Sequence, residues 1–395
     1  MENDFSKRLS YEAKWVEVDL DALAYNIRSI REKIGDKRMC AVVKANAEGN
    51  GTEGVAKTFL DNGADQFAVS SLNEALELRR FIPEDTDILV LGNIPYGSEE
   101  VSINANIQHA VTSYEKAKLL SDAAVKLGKT AKVHIAVDTG MTRIGFMPDE
   151  KGADEVEKIS KLPGLDLEAI FTHYARADEA DKFWANRQWE KYRKFVDMLA
   201  DRGITFKIKH TSNSAAIMEL PETYCDMVRP GIILYGIYPS SEVLPENLDI
   251  KPVMTWKTRI THVKTLDEDR QVGYGGKFTA HAGDQIATIA IGYADGYTRA
   301  QSGHAEVLYR GKRVPIRGNI CMDQCMIDVT GFDGVKVNDE VVLMGASGDE
   351  FISADEIAGR YNTIGYEVVC AVQRRVPRYY FKDGKLVNCL DYLEK

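Results

Sequence analysis

Between about residue 40 and residue 240 the chain alternates short apolar runs with longer segments that place apolar residues three and four apart, and this pattern leaves few folds open. The runs that read as strands are, in order, CAVVKA (40–45), QFAVS (66–70), DILVLG (87–92), HAVTS (109–113), KVHIAVD (132–138), LEAIFTH (167–173), FKIKHTS (206–212) and IILYGIY (232–238). Segments such as EGVAKTFLDNGA and WEKYRKFVDMLADRG between them have helical periodicity. Eight βα units in about 200 residues predict an α/β fold closed as a (β/α)8 barrel; an open doubly wound sheet shares the local pattern with fewer strands. After about residue 245 the pattern changes to closely spaced strands such as TWKTRITHVKTL, QIATIAIG and AEVLYRGKRVPI, interrupted by one helix near ADEIAGRY, with EVVCAVQRRVPRYY read as a returning strand. The division expected is a polar extension over 1–14, a barrel over 15–243 and a β-rich C-terminal domain over 244–390.

Composition narrows the function classes. The net charge of −10 disfavours nucleic acid as a partner. No apolar run approaches the roughly 18 residues that span a bilayer, and the polar start MENDFSKRLSYEAKW does not resemble a targeting segment. Six scattered cysteines form neither CxxC pairs nor a framework, so reduced thiols, a cytoplasmic setting and no bound metal are expected. Cys321 and Cys325 are spaced too loosely, without a flanking histidine, to read as zinc ligands.

A barrel places its active site at the C-terminal ends of its strands. Lys44 ends the first, Arg143 follows the fifth, His173 ends the sixth, Ser212, Asn213 and Ser214 follow the seventh, and Arg229 and Gly231 stand at the entry to the eighth. An amine at the end of an apolar strand is partly desolvated, as an imine-forming lysine requires, though a lysine reaching to solvent from a strand end looks the same in sequence. Ser214 with the Gly231–Ile232 backbone matches the usual barrel phosphate site; Ser214 also reads as a helix N-cap. No acidic residue stands where it would meet a pyridinium, whereas Arg229 does; a structural ion pair is the plainer reading of such an arginine.

The blocks AVVKANAEGNG, DTGMTRIGF, FTHYARADE, TSNSAA, VRPGIILYG, VGYGGKFTA, IGYADGYTR, GNICMDQCMIDVT and GYEVVC resemble, in order and spacing, those of the pyridoxal-phosphate-dependent alanine racemase family. The resemblance runs from about Trp15 to Tyr380 and implies a barrel plus β-domain, pyridoxal 5'-phosphate as cofactor, and an isomerase that interconverts L- and D-alanine for cell-wall (peptidoglycan) precursor synthesis. By position, Lys44 resembles the lysine that holds the cofactor and serves as one base, and Tyr274 the opposite base, which a partner subunit contributes. A small-molecule amino-acid substrate and a homodimer with shared active sites are therefore implied. Arg229 resembles the donor to the pyridine nitrogen, and His173 a histidine hydrogen-bonded in that neighbourhood, where an ordinary core histidine is the alternative. Ser214, Gly231, Ile232 and Tyr366 resemble the phosphate ligands. Arg143 and the Met322 backbone resemble contacts to the substrate carboxylate, and Tyr293 a guard at the entrance.

Three positions depart from the family pattern. Glu48 and Asn50 stand where a tyrosine and a histidine are usual, and the lost tyrosine hydroxyl is one that meets the cofactor phosphate. Ala136 stands where many members carry a carbamylated lysine that steadies the neighbouring arginine. These changes spare both proposed bases. Racemases of serine or of basic amino acids share most of the motifs and remain the alternative, with a fold-sharing decarboxylase and a non-catalytic cofactor-binding relative behind them.

Overall fold

A computed structural model describes residues 4–394, which form two compact units. The first strand, β1 (Lys14–Asp19), belongs to the β-rich unit. The barrel unit, residues 23–47 and 55–251, holds β2 (Arg38–Val42), β3 (Gln66–Val69), β4 (Ile88–Val90), β5 (Ile107–Val111), β6 (Ala131–Ala136), β7 (Leu165–Phe171), β8 (Ile208–His210) and β9 (Met227–Val228). All are parallel and neighbours in chain order, and β2 returns to β9. Asp226 N–H to Lys209 O at 3.0 Å and Arg229 N–H to Ser212 O at 2.9 Å join β9 to β8 and close the ring.

Cys40, Val42, Ala68, Leu89, Ala169, Ile208 and Met227 form an apolar cluster in the lumen, one or two residues from each of six strands. Helices pack outside, so β3, β4 and β5 are buried along their whole length; β4 (ILV) is wholly apolar, while β3 and β5 also bury Gln66, Gln108 and His109. Local signals set the helix starts: Ser71, Ser113 and Asp149 each accept a backbone N–H of the first turn, and Gly128 ends its helix in the left-handed region.

One expectation about the barrel needs correction. The last barrel strand is not 232–238 but Met227–Val228; Ile232–Tyr235 forms a 3-10 turn. Pro230 has no N–H for a ladder, and Gly236 at φ 75° turns the chain away. Arg229 and Gly231 therefore follow the eighth strand rather than precede it, which places them at the active-site end. By contacts the compact barrel unit covers Leu23–Ala47 and Val55–Lys251, and β1 pairs with strands of the other unit.

That β-rich unit comprises residues 4–22, 48–54 and 252–394. Its further strands are β10 (Met254–Thr265), β11 (Arg270–Val272), β12 (Phe278–Ala280), β13 (Gln285–Ile289), β14 (Glu306–Tyr309), β15 (Lys312–Arg317), β16 (Cys325–Asp328), β17 (Glu340–Ser347), β18 (Glu350–Ile352), β19 (Arg378–Lys382) and β20 (Lys385–Leu390). Pairings β10–β13–β16–β15–β14–β17 and back to β10 make a closed ring, from which β1, β19 and β20 extend. β1 runs antiparallel to β10 and parallel to β19. The fully buried Arg378 donates to Gly49 O at 3.1 Å, and Tyr380 Oη to Asn50 O at 2.9 Å. EVVCAVQRRVPRYY divides into a helix, Gly365–Ala371, and β19. Gly365, Val368, Val369 and Val372 are buried at helical spacing, a period the β-branched composition obscured. No helix among the described residues is long and apolar enough to cross a membrane.

Candidate active site

Lys44 emerges two residues after β2, half-buried, and the chain then makes a left-handed turn: Ala45, Asn46, Ala47 and Glu48 have φ of 52°, 59°, 53° and 47°. For L-residues this costs about 1–2 kcal/mol each, so other contacts must hold it. One is Glu74, whose carboxylate accepts the Ala45 N–H at 2.7 Å while serving as the capping-box acid for Ser71. Glu74 was not singled out in the sequence, although SLNE carries the capping-box spacing. Glu48 itself is buried, and Asn50 Nδ2 donates to its carbonyl at 3.3 Å.

Arg229 is 3% exposed, and its donors meet neutral acceptors: His210 Nδ1 at 2.8 Å, His210 O at 2.9 Å, Thr172 O at 2.8 Å, Thr211 O at 3.0 Å and His173 Nδ1 at 3.5 Å. The Phe171 ring lies 5.5 Å from the guanidinium carbon. No carboxylate is among these partners, so the plainer reading of an ion-pair arginine fails, and burial pulls its pKa down to about 10. Burial, with the charges of Arg229, Arg143 and Lys44, holds His173 neutral, its pKa lowered to about 3. Because a guanidinium only donates, His173 Nδ1 is an acceptor and its proton sits on Nε2.

Ser214 is not the N-cap. Asn213 is, its Oδ1 accepting Ala216 N–H at 3.0 Å, while Ser214 Oγ accepts the Gly231 N–H at 2.9 Å. Ser214, Gly231 and the fully buried Ile232 thus meet where the loops after β8 and β9 converge. Arg143 is exposed on the loop after β6, which Asp138 organises by accepting the Gly140 and Thr142 N–H groups at 3.0 and 2.9 Å. Among the described residues Arg143 makes no side-chain hydrogen bond or ion pair, and Ala136 is packed against Ala110 and Phe171. Gln188 was also missed: it donates to Thr139 Oγ1 and His173 O, both at 3.0 Å, and accepts Ala175 N–H at 2.9 Å, tying two site loops together. One glutamine on an amphipathic helix leaves no signal in sequence.

The β-rich unit carries the remaining candidates. Tyr274 heads a 3-10 turn, is 70% exposed and borders a cavity of about 380 Å³ with Val272, Ile286, Cys321 and Met326. Its carbonyl accepts Asn319 Nδ2 at 2.7 Å. Tyr293 and Met322 lie on two loops zipped by Tyr293 N–H to Cys321 O at 3.1 Å and Ala294 N–H to Met322 O at 3.0 Å. A Cβ on Gly292 would fall 2.3 Å from Met322 O, so only glycine permits this approach. Asp295, fully buried, anchors the zipper through Gly292 N–H, Lys14 and Arg375. Tyr366 is half-buried in the Gly365–Ala371 helix, on a separate element. The structure therefore gathers Lys44, Arg143, His173, Ser214, Arg229, Gly231 and Ile232 at the barrel mouth, and pairs Tyr293 with Met322 in the other unit.

The sequence matches the family descriptions "Alanine racemase, N-terminal domain" over residues 18–239 and "Alanine racemase, C-terminal domain" over 253–380. It is 47% identical to the alanine racemase of Clostridium kluyveri over 383 residues, covering 97% of this chain and 98% of that one. The fold is similar to solved alanine racemases. That of Clostridium difficile 630 has a TM-score of 0.93 at 40% identity, covering 97% of this chain and 99% of that one. That of Bartonella henselae, which holds covalently bound pyridoxal phosphate, has a TM-score of 0.84 at 28% identity, covering 94% of this chain and 100% of that one. The chain belongs to the alanine racemase family.

Proposed function

We propose that this protein is a pyridoxal-phosphate-dependent alanine racemase that interconverts L- and D-alanine, with Lys44 and Tyr274 as its two bases. The donor set at the barrel mouth carries the reading. It offers an amine at Lys44, a buried arginine with no carboxylate partner at Arg229, and a hydroxyl and amide pair at Ser214 and Gly231. This set fits a planar phosphorylated pyridine aldehyde: Lys44 would hold its carbonyl carbon, Arg229 its ring nitrogen, and Ser214, Gly231 and Ile232 its phosphate, to which the family resemblance adds Tyr366. When bound, the cofactor supplies the electron sink that makes the substrate α-proton acidic.

The side chains of this chain do the rest. Racemisation takes the α-proton from one face and returns a proton to the other, so one base must stand on each side. Lys44 Nζ would serve one face and Tyr274 Oη of a second copy the other. Arg229, a donor that does not readily give up a proton, would hydrogen-bond the ring nitrogen without protonating it. Arg143 and, from a second copy, the Met322 N–H would hold the substrate carboxylate, and Tyr293 of that copy would narrow the way in. A homodimer, a cytoplasmic setting and a supply of D-alanine for cell-wall precursors complete the reading, supported by an exposed Tyr274 and by six scattered cysteines suited to a reducing compartment.

Proton NMR in D2O of the cofactor-loaded protein with L-alanine, L-serine and L-lysine separately tests it. Loss of the α-proton signal should be fastest with alanine. A faster serine or lysine signal would move the function to that substrate, and no exchange with any of them would sink the racemase reading.

A further inference from the structure

The barrel lumen beneath Arg229 holds a polar column that the proposed reaction does not use. Gln108 on β5, His134 on β6 and His210 on β8 point inward and are each no more than 2% exposed. Arg229 Nη1 lies 2.8 Å from His210 Nδ1, His210 Nε2 lies 3.0 Å from His134 Nδ1, and His134 Nε2 lies 3.0 Å from Gln108 Oε1. These contacts admit one proton assignment. Arginine has no acceptor, so His210 Nδ1 presents a lone pair and its proton is on Nε2. That proton points at His134 Nδ1, which must accept it, so the His134 proton is on Nε2 and is donated to Gln108 Oε1. The Phe171 ring stacks on His210 at 5.0 Å and 10°, fixing the imidazole plane, and burial beside the Arg229 charge keeps both rings neutral.

A buried guanidinium is ordinarily met by a carboxylate, which accepts from several directions. A neutral imidazole offers one lone pair in one plane, so it sets an orientation as well as an energy. We propose that Arg229, His210, His134 and Gln108 form a one-way hydrogen-bond relay in which His134 and Gln108 are positioning residues, acting through His210 to aim Arg229. The consequence for the cofactor ring rests on the reading of Arg229 given above; the relay itself does not.

The test has two parts, both on the full-length protein. Ring 15N NMR, with and without cofactor, should show His134 and His210 neutral and protonated on Nε2 from about pH 5 to pH 9. A proton on Nδ1 of either ring, or titration in that range, would overturn the relay. In the loaded protein His134→Leu should lower kcat on the order of 10- to 100-fold with KM changed less than about threefold, and should shift the absorption band of the bound cofactor. His134→Gln, whose amide oxygen can accept and whose amide nitrogen can donate, should recover kcat to within about threefold of the parent. If His134→Leu does not fold, Gln108→Leu takes its place with the same expectations. Wild-type kcat and absorption in a folded Leu variant, or equal losses in the Leu and Gln variants at position 134, would reduce the column to packing. Absence of racemisation by the parent protein would instead sink the proposed function and leave the tautomer measurement standing.

Discussion

Lys44 and Tyr274, the two side chains proposed to handle the proton, stand in opposite settings. Around Lys44 the barrel mouth is closed and fixed by its own chain: Arg229, Ser214 and Ile232 are 3%, 6% and 0% exposed, and Glu74 and Gln188 brace the loops. In the β-rich unit Tyr274, Tyr293 and Met322 are 70%, 42% and 53% exposed, with the backbone beneath them pinned by Asn319 and the Asp295 anchor. One region is finished within a single chain. The other displays large side chains on a rigid base, an arrangement that serves chemistry only when something else completes it, and in the proposed function that is a second copy.

The largest effects should come from breaking each half separately. Lys44→Ala and Tyr274→Phe should each lower kcat/KM about 10²- to 10⁴-fold. If the halves belong to different copies, mixing the two dead variants under subunit exchange should restore roughly a quarter of full activity, since half the dimers then hold one intact site of two. No recovery would count against sharing.

Glu48 tests whether the lysine turn is as complete as the rest of the mouth. Removing a carboxylate that the family resemblance sets against the phosphate, with Glu48→Tyr, should tighten cofactor binding on the order of tenfold, the worth of a like charge at about 4 Å in a high dielectric. Equal affinities in a titration of the two apoproteins would rule this out.

Stability should follow the same contrast. Ile208→Ala, in the lumen, should cost about 2–5 kcal/mol in urea unfolding, and Met322→Ala at the exposed face within about 0.5 kcal/mol. Similar costs at both sites would erase the distinction between a packed and a displayed region.

Two histidines sharpen it through pH. His109 is buried on β5 with neither ring nitrogen hydrogen-bonded, and burial pushes its pKa from 6.5 down to about 4. The folded state resists protonation that the unfolded chain accepts, so stability should fall as pH drops from about 6.5 toward 4, by on the order of 3 kcal/mol in all. His109→Leu should flatten that slope. His281, fully exposed, has its pKa raised by Asp269. Its small contribution is complete below the ordinary histidine pKa, is lost as pH rises through the raised one, and should vanish in about 1 M salt.

Much of this was legible in sequence because the relevant signals are local. Period and spacing revealed the βα units, and strand ends pointed to Lys44, Arg143, His173, Ser214 and Arg229. The misread strand at 232–238 shows the limit: IILYGIY is as β-rich as a real strand, and what decided against it was Pro230 before it and Gly236 within it. The division between units was illegible for another reason. β1 pairs with residues more than two hundred positions away, and no local pattern records such a partner. The same holds for the relay: Gln108, His134 and His210 lie on three strands, and only closure of the ring brings them into line.

The placement of β1 has a consequence for how the molecule is made. Lys14–Asp19 is synthesised well before its partners on β10 and β19, which come about 240 and 360 residues later. At roughly 5–20 residues per second the strand waits on the order of ten seconds to a minute, its edges unpaired, while the whole barrel is synthesised. Its apolar side chains, Val16 and Val18 on one face and Trp15 on the other, are a hazard for aggregation over that interval. Newborn chains stalled before residue 254 should therefore call on chaperones through the Lys14–Asp19 segment, even with a complete barrel behind them.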